Sequence, residues 1–180
     1  MSEFSESYHL RSESSDDAIQ LLHRAKRKGF VYQPVNGWVT FLAEKGVFEP
    51  DERIVAAATL PLLHYVSAED HGWSFTLFNA AKVACAYRCD WDDTINVDDS
   101  NYSRAALEQL TPSLDPALLD QLEARLHPQD FEELFEFEVE ASKLFAQAVG
   151  LEHYDWLSYN YMKGSFSASP HEYRNVTEVT

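Results

Sequence analysis

Two thiols, three carboxylates and a hydroxyl fall within ten positions at CAYRCDWDDT, residues 85–94. The side chains are Cys85, Cys89, Asp90, Asp92, Asp93 and Thr94, with Asp98 and Asp99 just beyond. Clustered carboxylates offer hard oxygen ligands to a divalent cation, or an acid and base pair for hydrolysis. A second set precedes it: His64, Glu69, Asp70 and His71. Together with the thiols these could ligate a transition metal, but their spacing matches no closed zinc pattern, and neither H-E-x-x-H nor paired C-x-x-C occurs. Nucleophile-elbow, P-loop and dinucleotide fingerprints are also missing. Six glycines leave little backbone for cradling phosphate.

As letters, Asp90, Asp92 and Thr94 after an apolar run form D-x-D-x-T. This resembles the nucleophile signature of haloacid-dehalogenase-like phosphatases, where the first Asp is the nucleophile, the second a general acid, and the loop holds magnesium. That resemblance implies a doubly wound parallel sheet with further catalytic residues on later strands. Here the motif follows an antiparallel pattern, and the 86 residues after Thr94 read as helical. Asp98-Asp99 lies too near to supply the distal acidic pair. The same residues occupy the first, third and fifth positions of an EF-hand loop, but Ile95 stands where glycine is required and Asn101 where glutamate closes the site.

The two cysteines lie on a strand-like run, VACAYRC. Four strand residues span roughly 13 Å, beyond the about 4.4–6.8 Å between Cα atoms that a disulfide tolerates. Free buried thiols are therefore expected. Upstream, GWSFTLFN (72–79) and KVACAYRC (82–89) alternate with period two and are joined by Asn79-Ala80-Ala81, which makes them antiparallel neighbours. Asn36-Gly37 between FVYQPV and WVTFLAE signals another hairpin, with Pro34 marking an edge strand or bulge. Segments 6–12 and 62–69 supply further strands. NGWVTFLAE and HGWSFTLFN share a Gly-Trp start 35 residues apart, which suggests two helix-plus-hairpin units.

A helix is expected over DDAIQLLHRAKRKG, capped by Ser14 or Ser15 and stopped at Gly29, and a short one over PDERIVAAA (50–58). After Asp98 the pattern is helical. Residues 101–110 come first, and Asp115-Pro116 then opens a second helix. One long helix follows over 130–150, with Leu134, Phe137, Ala141, Leu144, Phe145 and Ala148 as its apolar stripe and Glu132, Glu133, Glu136 and Glu140 as its acidic face. A short helix in HYDWLSYNYM docks on the sheet. The expected fold is α+β, a single domain over 1–163. An antiparallel sheet of five or six strands is made by residues 6–90, with two N-terminal helices, a C-terminal helical segment (98–162) and a mobile tail, 164–180.

Charge narrows the function. The chain carries 14 basic and 30 acidic residues, net −16. Residues 90–180 hold 19 acidic and 5 basic residues, whereas 1–89 hold 11 and 9, so the acidity belongs to the C-terminal half. Such a surface repels phosphate backbones and attracts basic proteins. No apolar run reaches membrane-span length and the N-terminus lacks a signal-peptide pattern, so a cytoplasmic location without membrane or nucleic-acid partners is expected. No catalytic residue, metal or cofactor is assigned. The expected function is a non-enzymatic protein-binding module of immunity or regulator type. Its surface would comprise His71, Trp73, Trp91, Asp90, Asp92 and Asp93, and its partner would be basic. Two alternatives are a metal-dependent hydrolase using the Asp90–Asp99 carboxylates, and a small-molecule module with an aromatic pocket between sheet and helices.

Overall fold

A computed structural model describes residues 4–135 and 139–180. Its centre is an antiparallel sheet of eight strands: β1 (Phe4–Arg11), β2 (Gly29–Tyr32), β3 (Trp38–Ala43), β4 (Leu62–Ala68), β5 (Gly72–Asn79), β6 (Lys82–Trp91), β7 (Ile95–Asp98) and β8 (Val176–Val179). Their spatial order is β7-β6-β5-β4-β1-β3-β2-β8. The α+β class and the antiparallel sheet are as expected, but the strand count is not five or six. The two extra strands lie outside residues 6–90. The chain returns at Asp92–Thr94 to lay β7 on β6, with Trp91 opposite Ile95. Residues 176–179, expected in a mobile tail, pair with β2 from Gly29 opposite Val179 to Tyr32 opposite Val176.

Local chemistry explains the elements. Asn36 (φ 53°) and Gly37 (φ 81°) form the two-residue turn whose twist suits a hairpin. Val35 and Trp38 exchange both backbone hydrogen bonds across it. The β5–β6 link is the same kind of turn built from Ala80 (φ 49°) and Ala81 (φ 60°), both left-handed without glycine. Helix α1 (Ser15–Ala25) begins after Ser14 with Asp16 and Asp17 in its first turn, and buries Ala18, Leu21, Leu22 and Ala25. It ends at left-handed Lys26 rather than at Gly29. Gly29 serves close approach instead, since a Cβ there would strike the Leu42 carbonyl and the Leu22 side chain. Asp51 caps α2 (Glu52–Ala57) by accepting from the Arg53 and Ile54 amides.

Each sheet face has its own cover. Under α1 and α2 lie Tyr8, Leu10, Val39, Phe41 and Leu62, with Ile54 of α2 packed on them. The other face carries Trp38, Tyr65, Trp73, Phe75, Cys85, Tyr87 and Cys89 beneath the C-terminal helices. These are α3 (Arg104–Leu110), α4 (Pro116–Glu123), α5 (Phe131–Phe135), α6 (Ala141–Ala148) and α7 (Tyr159–Ala168). Trp38 and Phe41 sit on opposite faces as their parity requires, yet both are buried because both faces are covered here. The expected long helix over 130–150 is interrupted. Glu136 and Phe137 lie outside the described residues, and Val139 and Glu140 are not helical. The Arg125 guanidinium donates to the Val139 carbonyl at this break. Phe145 of α6 stacks on Phe75 at 3.9 Å, so docking on the sheet overrides helix continuity. Residues 153–158, expected as part of a short helix, are not helical, and α7 starts only at Tyr159. It covers Phe30, Tyr32 and Leu42.

Candidate functional site

The pleat of β6 sends neighbouring residues to opposite faces, and this divides the residues expected to form one surface. Trp73 and Trp91 point to the helical side. Trp73 is 3% exposed and its ring contacts Tyr87 (4.8 Å) and Phe145 (5.9 Å), so it belongs to the core and not to a surface. Trp91 is half-buried, edge-on to Phe135 at 5.9 Å. Its indole N–H has no hydrogen-bond partner among the described residues. Asp90 turns to the other side, where its carboxylate accepts from Arg88 Nε (2.6 Å), and Arg88 also donates to Glu49 (2.7 Å). Asp92, in the turn, pairs with His71 Nδ1 at 3.0 Å. Asp93 is exposed. Asp90 and Asp92 are thus engaged with separate partners, Arg88 and His71. Among the described residues no group of three or more His, Cys, Asp or Glu side chains is placed to hold a metal ion.

On the α1/α2 side, His71 and Asp90 meet residues that sequence reasoning did not single out. Phe4 stacks on His71 (6.0 Å) and lies 5.8 Å from Phe48. With Arg88 and Ser74 these line a cleft of about 210 Å3. Phe48 belongs to the strap, residues 44–50, that carries the chain from β3 to α2. Two strap residues, Lys45 (φ 65°) and Phe48 (φ 61°), hold left-handed backbone without being glycine.

Beneath the strap lies a buried polar group. Glu6 on β1 and His64 on β4 are diagonal neighbours in the register, and Glu6 Oε1 meets His64 Nε2 at 3.1 Å. Glu6 Oε2 accepts from the Phe48 amide at 3.2 Å. Gly46 lies so close that a Cβ there would strike this carboxylate. Tyr8 tilts over His64 with ring centroids 4.6 Å apart, and its hydroxyl accepts from the Asp51 amide at 2.8 Å. Burial keeps the Tyr8 phenol protonated, its pKa pushed well above the ordinary value. The signal for these residues was present. In FSESYHLR the parity set Phe4, Glu6, Tyr8 and Leu10 is apolar except for Glu6, and Leu62, His64, Val66 and Ala68 is apolar except for His64.

The opposite face of β1 holds a second polar strip. His9 is fully buried, with Nε2 on Ser7 (2.9 Å) and Nδ1 on Thr40 (3.0 Å). Burial, reinforced by His153 and His64, pushes its pKa down to about 3, so the ring is neutral at ordinary pH.

The region between the sheet and α3–α6, where an aromatic pocket was expected, is packed with the rings of Trp38, Tyr65, Phe75 and Phe145. The outer surface of this helical layer is acidic. Asp99, Glu108, Asp115, Asp120, Asp130, Glu132, Glu133 and Glu140 are all exposed, as are Asp92 and Asp93 in the adjoining turn, whereas Asp98 is exposed on the opposite face, across from Arg88. The basic residues in that stretch, Arg104 and Arg125, are half-buried. Arg104 is taken up by Glu108, Asp120 and Glu123 at 2.6–2.9 Å. Among the described residues no helix is long and apolar enough to cross a membrane. No protein-family model, curated protein or solved structure matches the chain.

Proposed function

We propose that this protein is a non-enzymatic binding module whose partner is a basic protein, met by the acidic helical layer and the edge formed by His71, Asp92, Trp91 and Phe135. One observation carries this reading: the exposed carboxylates from Asp92 to Glu140 outnumber the two half-buried arginines among them, of which Arg104 is held by Asp120 and Glu123. A field of one sign accelerates encounter with an oppositely charged partner and rejects like-charged ones. Phe135, 58% exposed beside Trp91, supplies apolar area within the charged rim. Analogy with acidic immunity proteins that neutralise basic nucleases fits this charge pattern, as analogy only.

The test is an affinity capture from cells of the source organism, repeated over a salt series, with the quadruple variant Asp92→Asn, Asp93→Asn, Glu132→Gln, Glu133→Gln as comparison. A basic protein retained at low salt, released as salt rises and lost from the variant supports the reading. Retention that is indifferent to both salt and the four substitutions removes it.

A further inference from the structure

Strand β1 is paired with β4 from Phe4 to Leu10 but with β3 only from Tyr8 to Arg11. The sheet therefore splits beside Phe4–Ser7, and the Glu6 amide donates to the Leu157 carbonyl (2.7 Å) in place of a strand partner. A cleft of about 490 Å3 occupies the split, the size of a small-molecule site. Glu6, only 9% exposed, lines it with a carboxylate whose oxygens meet His64 Nε2 and the Phe48 amide, one lone pair of each oxygen being left over. Five aromatic rings surround it: Phe4, Tyr8, Phe48, Tyr159 and Tyr161. Phe48 and Tyr161 stand at the rim, 44% and 38% exposed. Glu44 lines the cleft beside Glu6. The basic residue of the lining, Lys45, is exposed.

A buried carboxylate ringed by π faces is complementary to an organic cation, which gains from both the charge and the ring quadrupoles, and most so for a guanidinium, which is more weakly hydrated than an ammonium. We infer that the split between β1 and β3 is a binding site for a primary ammonium or guanidinium on a short apolar stem, with Glu6 as counter-ion and the Phe48 and Tyr161 rings as walls. This goes beyond the basic-partner reading. The site lies on the face of β1 away from α3–α6, and does not depend on the acidic helical layer. The cation could be a free small molecule or the side chain of a lysine or arginine in a peptide, and the probes below separate the two.

Binding is measured by calorimetry and by amide chemical shifts with four probes: butylguanidine, butylamine, the neutral isostere butylurea, and N-acetyl-arginine N-methylamide. Butylguanidine or butylamine should bind the wild type and shift the Phe48 and Tyr161 signals, with butylurea weaker by roughly tenfold or more, the scale of one charge-assisted hydrogen bond. Binding of the free cations but not of the capped arginine assigns the site to a small molecule. Binding of the capped arginine at least as tight assigns it to a partner's side chain. Glu6→Gln should abolish the preference for cation over urea. Because that substitution also touches His64, the exposed-site variants Tyr161→Ala, expected to weaken binding severalfold, and Lys45→Ala, expected to strengthen it, provide readouts that leave the fold intact. Equal affinity for butylurea and butylguanidine, no binding of either cation, or shifts confined to the helical layer would each overturn the assignment. Failure of these probes to bind leaves the salt-dependent capture untouched, and loss of the captured protein from the quadruple variant is unaffected by Glu6→Gln.

Discussion

The middle of the sheet and its β5–β7 wing treat polar residues in opposite ways. Strands β2, β3 and β4 are buried at every position, covered on both faces, and β1 nearly so. Strand β6 alternates between buried and open. On the wing, Arg88, Asp90 and Asn96 point toward water, which can solvate whatever the protein leaves unpaired. In the middle, Glu6, His64, His9, Ser7 and Thr40 have no such recourse and satisfy one another. Similar side chains should therefore carry very different energetic weight depending on which half they occupy.

The largest test of that difference is His64→Ala. Removing it leaves the Glu6 carboxylate buried with one partner fewer, and breaking a buried pair from one side costs about 3–5 kcal/mol. Urea unfolding at neutral pH checks this, and a loss below about 1 kcal/mol would erase the distinction. Next is the pH dependence carried by His9. Its ring binds a proton near pH 6.5 when unfolded but only near 3 when folded. Between those values the unfolded chain holds more protons, so stability falls as pH falls from 6.5 towards 3, by up to about 1.4 kcal/mol per pH unit. In His9→Asn this contribution should vanish, leaving a shallower slope in denaturation midpoints measured across that window.

On the wing the expected effects are smaller. Ala81→Gly should stabilise by about 0.5–1 kcal/mol, because left-handed backbone is strained for alanine and free for glycine, less the extra entropy glycine loses on folding. A melting temperature unchanged or lowered would show that this turn carries no strain. Smallest of all is Arg88→Ala. Its side chain is 50% exposed and its bonds to Glu49 and Asp90 are solvent-screened, so the loss should stay under about 1 kcal/mol and shrink further in high salt.

The same contrast explains what was legible in the sequence. On the wing one face is open, so period-two alternation survives, and GWSFTLFN and KVACAYRC give β5 exactly as bounded and β6 to within two residues. Asn36-Gly37 and Asp115-Pro116 are local signals with local causes, and both stand. Strands β7 and β8 were not read, because four-residue segments as polar as INVD and VTEV become strands only through an edge waiting for them. The break before α6 depends on Phe145 reaching Phe75, a contact across the fold that helix propensity does not encode. At the candidate site, His71, Asp90 and Asp92 were visible as chemistry-bearing types. Trp73 was placed outside because period-two alternation does not say which face of β5 the helices cover. Glu6 was overlooked, and His64 was weighed only as a metal ligand, although each interrupts an apolar parity set, since a lone polar residue on such a face acquires meaning only when register brings two together.

The thiols of the opening motif gain a practical use from their position. Cys85 is sealed under the start of α3, its sulfur accepting from the Ser103 amide at 3.2 Å, and burial pushes its pKa up to about 11. A thiol so protonated and covered reacts with an alkylating reagent only while the helix is lifted. The rate of Cys85 modification in the native protein is therefore a stopwatch on how often the acidic layer breathes away from the sheet. A partner that clamps that layer would slow the watch without touching the sulfur.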